Sequence, residues 1–271
     1  MRLLYTFILL SLLFVSPIIG VYAASLVTDS FDDESKISSL NSLVVSGGQV
    51  QLDTYEVDDA ATSNVLKLPL DEGEGVTAYD QSEYGNDGTI YGASWVDGKY
   101  GKAMSFDGVD DYLLVQKSSS INNLSQFTFA VWLNPMAVLA AERVFDKGAK
   151  LLSRVGIWRL SCLIYAATTN ALAETNEALT MDAFNFVTMT YDDAGDRKIY
   201  VAINGVPCTY VDQIAAEGSL ANDNTRNLYI GNREALNRPF QGITDEVRIY
   251  NRALTAVEIK RLYETDIMMT R

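Results

Sequence analysis

Histidine is absent from the 271-residue chain, and cysteine occurs only twice. Without histidine, the usual Ser-His-Asp and Cys-His catalytic groups and the common zinc sites cannot be built. An enzyme of this composition would have to work with carboxylates, lysine or tyrosine. The two cysteines, Cys162 and Cys208, both lie in strand-like runs. They can form one disulfide bridge in an oxidising compartment or remain buried free thiols.

Basic residues are scarce as well: 21 Lys and Arg stand against 35 Asp and Glu, and the formal net charge is -14. Nucleic-acid binding needs clustered Lys and Arg, so this composition argues against it. An excess of carboxylates suits a secreted protein and a hard cation such as calcium, although the same acids can simply solvate the surface. With 48% hydrophobic residues, the chain is typical of a folded protein.

The N-terminal residues 1–23 resemble a transport signal. A basic start at Arg2 leads into an apolar run, which ends in small residues around Ala23. This pattern is typical of a secretory signal peptide, with cleavage expected after Ala23 or Ala24. The apolar run is also long enough to remain as an uncleaved membrane anchor. In both cases we expect a protein that is secreted or held at the cell surface.

Three segments of different composition follow the signal peptide. Residues 24–63 are acidic and rich in serine, with a possible small hairpin around Gly47 and Gly48. Residues 64–265 contain short runs of alternating apolar and polar residues separated by turn residues. This pattern predicts an all-β, two-sheet antiparallel sandwich. Residues 266–271 are left as a C-terminal tail.

Turn residues give the local predictions inside the sandwich. The dipeptides Asp107-Gly108 and Asn204-Gly205 are each flanked by alternating runs, which predicts two tight hairpins. Residues 71–92 are rich in Gly, Asp and Asn and read as a loop.

One strand allows the core to be predicted. Phe127 and Phe129 share a face and are expected in the core, because aromatic side chains dominate burial in sandwiches. Trp132 falls on the opposite face of the same strand.

One short helix is predicted near the C-terminus. Thr255 and Glu258 have the spacing of a capping box. Ile259, Leu262 and Tyr263 then fall on one side of the helix. We interpret it as a surface helix that covers an edge of a sheet.

Several sequence segments of this chain occur together in a known protein family. They follow one another over residues 64–265 as "LPLDEGEGVTAYDQSEYGNDGTIYGASWVDGKYGKAMSFDGVDDYLLV", "FTFAVWLNP", "KIYVAINGV", "NLYIGNRE" and "FQGITDEVRIYNRALTAVEI". This part of the chain resembles the laminin-G-like jelly-roll domains of the concanavalin A-like lectin/glucanase superfamily. The resemblance implies two antiparallel sheets of about six or seven strands each, packed face to face.

The same resemblance implies a structural calcium ion that joins an early loop to the last strand. Its ligands would be Asp80 and Asn86 or neighbouring carbonyls from the loop, together with Asp245 just before the last strand. Calcium prefers six to eight oxygen ligands. As an alternative, Asp245 accepts backbone N–H groups or pairs with Arg248 or Arg252.

A second acidic pair, Asp110 and Asp111, follows the Asp107-Gly108 turn. Strand alternation would point the two side chains to opposite faces. We therefore expect them to be solvated at a sheet edge rather than to share a metal ion.

The resemblance implies a non-catalytic binding or adhesion module, with carbohydrate as the leading ligand class. Sugar recognition needs exposed aromatic side chains beside polar groups, and the candidates are Tyr84, Tyr91, Trp95 and Trp158, each of which can also be a packing residue. A cell-surface domain that binds other proteins or serves a structural role is the alternative. The sequence does not assign ligand-binding residues or an oligomeric state.

Glycoside hydrolase activity is a third possibility that the sequence disfavours. Related jelly rolls with this activity carry an E-x-D-x-(x)-E strand motif, which places two carboxylates about 5–5.5 Å apart for a retaining mechanism. The run at Glu56, "EVDDAA", lacks the second glutamate, and the run at Glu174, "ETNE", lacks the central aspartate. We therefore predict that the chain is not an enzyme and nominate no catalytic residue.

Overall fold

The computed structural model divides the chain into two compact units, Met1–Asp59 and Ala60–Arg271. In the first unit, β1 (Leu43–Ser46) pairs antiparallel with β2 (Gln49–Leu52). The predicted signal peptide and Trp158 lie outside the described residues. The structure describes residues 43–46, 49–52, 63–137, 142–148, 151–155 and 159–268.

The second unit is a sandwich of two antiparallel sheets. Within the described residues, the larger sheet has nine strands. They are β4 (Thr77–Ala78), β5 (Gly88–Tyr91), β8 (Tyr112–Val115), β10 (Glu142–Asp146), β11 (Leu151–Val155), β12 (Leu160–Ile164), β13 (Ala171–Thr175), β17 (Tyr210–Ile214) and β18 (Leu228–Ile230). Their order across the sheet is β17-β13-β12-β11-β10-β18-β8-β5-β4.

The smaller sheet has eight strands in the same part of the chain. They are β3 (Asn64–Leu68), β6 (Ser94–Asp97), β7 (Lys102–Asp107), β9 (Gln126–Pro135), β14 (Asn185–Asp192), β15 (Ile199–Ile203), β16 (Val206–Pro207) and β19 (Gln241–Tyr250). The order is β16-β15-β14-β9-β19-β7-β6, and β3 also pairs with β19.

The predicted all-β jelly-roll sandwich is confirmed, and its sheets are larger than expected. Part of the difference comes from residues 71–92, which we predicted to be a loop and which contain β4 and β5. In β5, Gly88 and Ile90 are buried while Tyr91 is exposed. A Cβ atom on Gly88 would lie 2.6 Å from the Leu113 side chain. Glycine, a residue typical of loops, is therefore required at this position inside a strand, because a side chain would clash with Leu113.

The main core lies between the two sheets. Phe127 and Phe129 are both 2% exposed there, as predicted, and the Phe129 ring packs against Phe145 of the opposite sheet at 3.8 Å between centroids. Trp132 points to the other side of its strand and belongs to a second apolar cluster. Each buried side chain of this size contributes about 1.5–3 kcal/mol.

Of the two predicted hairpins, one is confirmed and the other is wrong. Asn204 and Gly205 have φ angles of 53° and 74°, and Ile203 pairs with Val206 across the turn. Positive φ at both central residues is what a tight two-residue hairpin requires. The prediction for Asn204-Gly205 is confirmed.

The prediction for Asp107-Gly108 is wrong, because β7 pairs in the smaller sheet and β8 in the larger one. The chain crosses between the sheets here. The side chain of Asp107 accepts the N–H of Val109, and that of Asp111 accepts the N–H of Asp107, both at 2.8 Å. These hydrogen bonds to carboxylates take the place of the backbone–backbone hydrogen bonds that a hairpin would have.

The last strand carries a bulge at the acids that precede its apolar half. Asp245 pairs with Trp132 and Arg248 pairs with Ala130, so three steps along β19 match two along β9. Glu246 takes up the extra residue with a φ of 51°. The strand already begins at Gln241, so Asp245 lies inside it and not before it.

Helix α1 (Ala256–Met268) begins with the predicted capping box. The Thr255 N–H donates to Glu258 Oε2 at 2.7 Å, and the Glu258 N–H donates to Thr255 Oγ1 at 3.3 Å. The helix continues into residues 266–268, which we predicted to be tail.

The helix covers a sheet face and not a sheet edge, which corrects our prediction. Ile259, Leu262 and Tyr263 pack on the outer face of the smaller sheet, against Trp132 and Phe186 of its central strands. These large apolar side chains would otherwise be exposed to water. Within the described residues, no helix is both long and apolar enough to cross a membrane.

Candidate functional site

Three tyrosines stand side by side on the outer face of the larger sheet, and we call them the tyrosine row. Tyr91 of β5 and Tyr112 of β8 are direct cross-strand partners, with ring centroids 4.5 Å apart and planes inclined by 13°. The Tyr112 ring then contacts Tyr229 of β18, with centroids 5.6 Å apart. The row thus spans three neighbouring strands.

Strand alternation places the tyrosine row outside. The neighbouring residues Ile90, Leu113 and Ile230 point into the core, so the tyrosines between or beside them point away from it. Tyr91 is 43% exposed. Since Tyr112 covers one face of the Tyr91 ring, the exposed surface of Tyr91 is its other face, its edge and its hydroxyl.

Charged side chains surround the Tyr229 end of the row. Asp146 is the cross-strand partner of Tyr229 and accepts a hydrogen bond of 3.1 Å from Arg143 Nε. Burial raises the pKa of Asp146. Further out, Arg226 and Glu234 form an exposed ion pair of 2.8 Å. Asp146 and Arg143 are buried, so the ion pair of Arg226 and Glu234 supplies the exposed donor and acceptor at this end of the row.

The hydroxyls of the row are hydrogen-bond donors. Burial raises the pKa of Tyr112 and of Tyr229, and the neighbouring charges of Asp110 and Glu234 act in the same direction. Both phenols are therefore neutral at physiological pH. Aromatic side chains that carry hydrogen-bonding hydroxyls suit a ligand that has both apolar and polar faces.

The structure separates the sugar-contact candidates. Tyr91 belongs to the tyrosine row, whereas Tyr84 is exposed in the loop before β5. Trp95 packs against the core and donates from Nε1 to the Gly75 carbonyl at 3.0 Å, so it is a packing residue. Tyr112 and Tyr229 were missed, although their places in alternating strands would have put them on an outer face.

Asp80 accepts hydrogen bonds from its own loop and from β3. Its Oδ1 accepts the N–H groups of Lys67 at 2.8 Å and Ser82 at 2.9 Å. Its Oδ2 accepts the Ser82 hydroxyl and the Asn86 N–H, both at 2.7 Å. Four donors fill the roughly four acceptor positions of a carboxylate.

Asn86 lies beside Asp80, as predicted, but its side chain is engaged elsewhere. Its Nδ2 donates to the Val65 carbonyl at 2.7 Å and to Ser120 Oγ at 2.9 Å. Its Oδ1 accepts from Ser118 Oγ at 2.6 Å. The amide therefore ties the loop to β3 and to the segment after β8.

Asp245 is fully buried and contacts a different loop. Its Oδ2 accepts the N–H of Tyr100 at 3.0 Å, while its Oδ1 has no hydrogen-bond partner in the described part of the chain. A Cβ atom on Gly98 would lie 2.6 Å from Oδ2. Burial raises the pKa of Asp245 to about 7, against the lowering effect of the Tyr100 N–H.

These residues do not fit a calcium ion shared by Asp80 and Asp245. The strand register places Lys67, the partner of Asp80, opposite Arg248 and not opposite Asp245. Among the proposed ligands, the side-chain oxygens of Asp80 and Asn86 already accept hydrogen bonds from protein donors. Asp245 keeps one buried oxygen that a cation could use. Of the alternatives left open, acceptance of a backbone N–H describes Asp245 in this structure.

Of the second acidic pair, Asp110 is exposed as expected, whereas Asp111 is buried. Asp107, Asp110 and Asp111 bring carboxylate oxygens within 4.8 Å of one another. Asp111 is buried, its pKa is raised by that burial, and it accepts the Asp107 N–H. Its role in the described structure is to hold the crossing between the sheets.

The two cysteines are buried free thiols. Cys162 lies on β12 of the larger sheet, and Cys208 follows β16 of the smaller one. Burial raises the pKa of Cys208 to about 12, so its thiol is not reactive at neutral pH. Of the two alternatives, the structure has the free thiols.

The fold is that of a jelly-roll sandwich. Residues 107–260 match the model of a laminin G-like family described as the concanavalin A-like lectin/glucanases superfamily. The chain belongs to this family. No curated protein sequence matches it significantly.

Solved structures share the fold at low sequence identity. The binding domain of Paraclostridial Mosquitocidal Protein 1 is 19% identical, with a TM-score of 0.62 over 76% of this chain and 52% of that one. The botulinum neurotoxin serotype D binding domain is 13% identical, with a TM-score of 0.58 over 77% and 53%. The chain thus spans about half the length of these toxin domains.

A third similar structure is matched over almost its whole length. It is domain 4 of AbnA, an extracellular arabinanase from Geobacillus stearothermophilus, in complex with arabinotriose. It is 18% identical, with a TM-score of 0.56 over 74% of this chain and 98% of that one. These three structures are two binding domains of toxins and one domain of an arabinanase, and at these identities they show a shared fold.

Proposed function

We propose that the protein is a secreted, non-catalytic binding module whose ligand is carbohydrate. The observation that carries the proposal is the tyrosine row, in which Tyr91, Tyr112 and Tyr229 place aromatic rings and hydroxyls side by side on the outer face of the larger sheet, with Tyr91 43% exposed. A sugar ring has an apolar C–H face and polar edges. The apolar face of one sugar unit would stack on the exposed face of Tyr91, and a further unit of an oligosaccharide would reach the charged groups around Tyr229.

The similar structures support the ligand class without identifying the sugar. One of them, domain 4 of the arabinanase, was solved with arabinotriose bound. Others are binding domains of toxins. A protein ligand at the same surface is the alternative, since exposed tyrosines are also enriched at protein interfaces.

An oligosaccharide array that includes arabinotriose tests the proposal. We expect binding by the wild-type protein, loss of that binding in the double variant Tyr91→Ala/Tyr112→Ala, and retention in Tyr79→Ala. Tyr79 is 58% exposed and lies outside the row, so it is the matched control. A blank array, or a signal that survives the double variant, would overturn the proposal. Specific capture of an extracellular protein through the row would then favour the alternative.

The predicted calcium ion remains a prediction, now restricted to the buried Asp245. If a cation uses Asp245 Oδ1, calcium should raise the melting temperature and a chelator should lower it, because binding to the folded state stabilises it. Asp245→Asn should abolish this response, whereas Asp80→Asn should retain it. A melting temperature that does not change with calcium or with chelator would remove the ion from the proposal.

A further inference from the structure

A groove with a volume of about 400 Å³ lies on the outer face of the smaller sheet. One of its walls is formed by the start of helix α1 and the residues before it, and the other by β15 and the loop between β14 and β15. The tyrosine row lies on the outer face of the other sheet, so the two surfaces are separate. Ligand sites in proteins commonly have volumes of about 300–1,000 Å³.

The two walls of the groove differ in polarity. On the helix side, Leu254 and Ile259 are buried apolar residues, and Ala202 forms the apolar floor. The loop side carries Asp192, Asp196 and Lys198. A ligand in the groove would therefore meet carbon atoms on one side and charged hydrogen-bonding groups on the other.

Tyr200 stands on the polar side and is 47% exposed. Its hydroxyl donates a hydrogen bond to Asp196 Oδ2, and Asp196 Oδ1 accepts the Lys198 N–H at 3.1 Å. The ring is thus fixed by its hydroxyl while part of its surface remains open. A ring that is already immobilised loses little conformational entropy when a ligand stacks on it.

We propose that this groove is a second carbohydrate site, which binds a single pyranose unit. A pyranose has an apolar C–H face that fits Tyr200 and the Leu254 side of the groove. Its hydroxyls can donate to Asp192 and Asp196 and accept from Lys198. An alkyl chain would leave the charged wall without polar partners. The proposal is independent of the tyrosine row, because neither surface shares a residue with the other.

Nuclear magnetic resonance titration with methyl glucoside, methyl galactoside, methyl mannoside and N-acetylglucosamine tests the groove directly. We expect at least one of these sugars to shift the amide signals of Lys198, Gly205 and Ala256 in a saturable way. Signals of Tyr91 and Tyr229 report on the tyrosine row in the same spectra. Failure of one surface is therefore visible separately from failure of the other.

Tyr200→Ala should raise the dissociation constant at the groove about tenfold, an effect expected for one lost aromatic contact. Tyr79→Ala should leave it unchanged. If the Tyr200 variant does not fold, as judged by its amide spectrum, Lys198→Ala replaces it, since Lys198 is another residue of the polar wall. The proposal is overturned if none of the four sugars shifts the groove signals, or if affinity is unchanged in the folded variant.

Discussion

The outer faces of the two sheets use aromatic residues in opposite ways. On the smaller sheet, Trp132, Phe186 and Tyr250 are almost completely buried beneath helix α1 and its flanking residues. On the larger sheet, Tyr91 and its row remain partly exposed. Both faces follow the same strand alternation, so alternation alone does not tell whether an outward-pointing aromatic residue is buried.

What distinguishes the two faces is the covering helix. Trp132 contacts Phe186, Tyr263 and Tyr100 with centroid distances of 5.2, 5.7 and 5.8 Å. These rings form a second small core, which stabilises the fold. On the other face, Tyr112 stacks on Tyr91 and contacts Tyr229, and Tyr91 is 43% exposed. The covered face therefore contributes stability, whereas in the described part of the chain no helix covers the tyrosine row on the other face.

The largest effect should come from Trp132→Ala. Removing a fully buried aromatic side chain leaves a cavity beneath the helix, and we expect a loss of about 3–5 kcal/mol in the free energy of unfolding. Urea unfolding followed by circular dichroism measures it. Trp95→Ala is a control, since Trp95 is only half-buried. Equal losses in the two variants would contradict the view that the covered face is a core.

A smaller effect is expected at the start of the helix. Arg252 bonds Glu258 Oε1 at 2.6 Å and, more than the Thr255 contacts, lowers the pKa of Glu258 to about 2. Its unfolded value is about 4.5. A lowered pKa means that the stabilisation is fully present above about pH 4.5 and is lost as the pH falls towards 2.

Glu258→Gln should therefore lower the unfolding free energy by about 1–2 kcal/mol at neutral pH. The difference from the wild type should shrink between pH 4.5 and 2. Unfolding curves of both proteins at several pH values measure it, and Glu264→Gln, an exposed acid further along the helix, is the control. A difference that stays constant down to pH 2 would rule out this carboxylate as its source.

The smallest effect on stability is expected on the uncovered face. Tyr91→Ala removes a ring that is already 43% exposed, so we expect a loss of no more than about 1 kcal/mol. The same change should weaken oligosaccharide binding about tenfold. Calorimetry of the variant with the oligosaccharide selected on the array measures the binding. A large stability loss with unchanged affinity would reverse the roles of the two faces.

The sequence predicted those parts of the fold that depend on local pattern. Alternation placed Phe127 and Phe129 in the core, and the Thr255/Glu258 spacing gave the cap of the helix. The Asn204-Gly205 turn was also predictable, because both residues tolerate positive φ. Each of these features depends on residues that are close together in the chain.

The missed features depend on contacts between distant residues. Asp107-Gly108 has the sequence of a hairpin turn. Its flanking strands nevertheless pair in two different sheets. The tyrosine row combines three strands, and Tyr229 lies far from Tyr91 in the sequence. The hydrogen-bond partners of Asp80 and Asp245, Lys67 and Tyr100, also lie far from them in the sequence.

The extra residue in β19 has a consequence for how the strand can vary. The first half of β19 pairs with β7 and its second half with β3. The extra residue at Glu246 determines which side chains of the second half point into the core. The residue at that position has to tolerate a positive φ, and its carboxylate pairs with Arg248 at 2.7 Å. Deleting the residue would turn Val247 and Ile249 out of the core and Arg248 into it, so the strand does not tolerate shortening at this point.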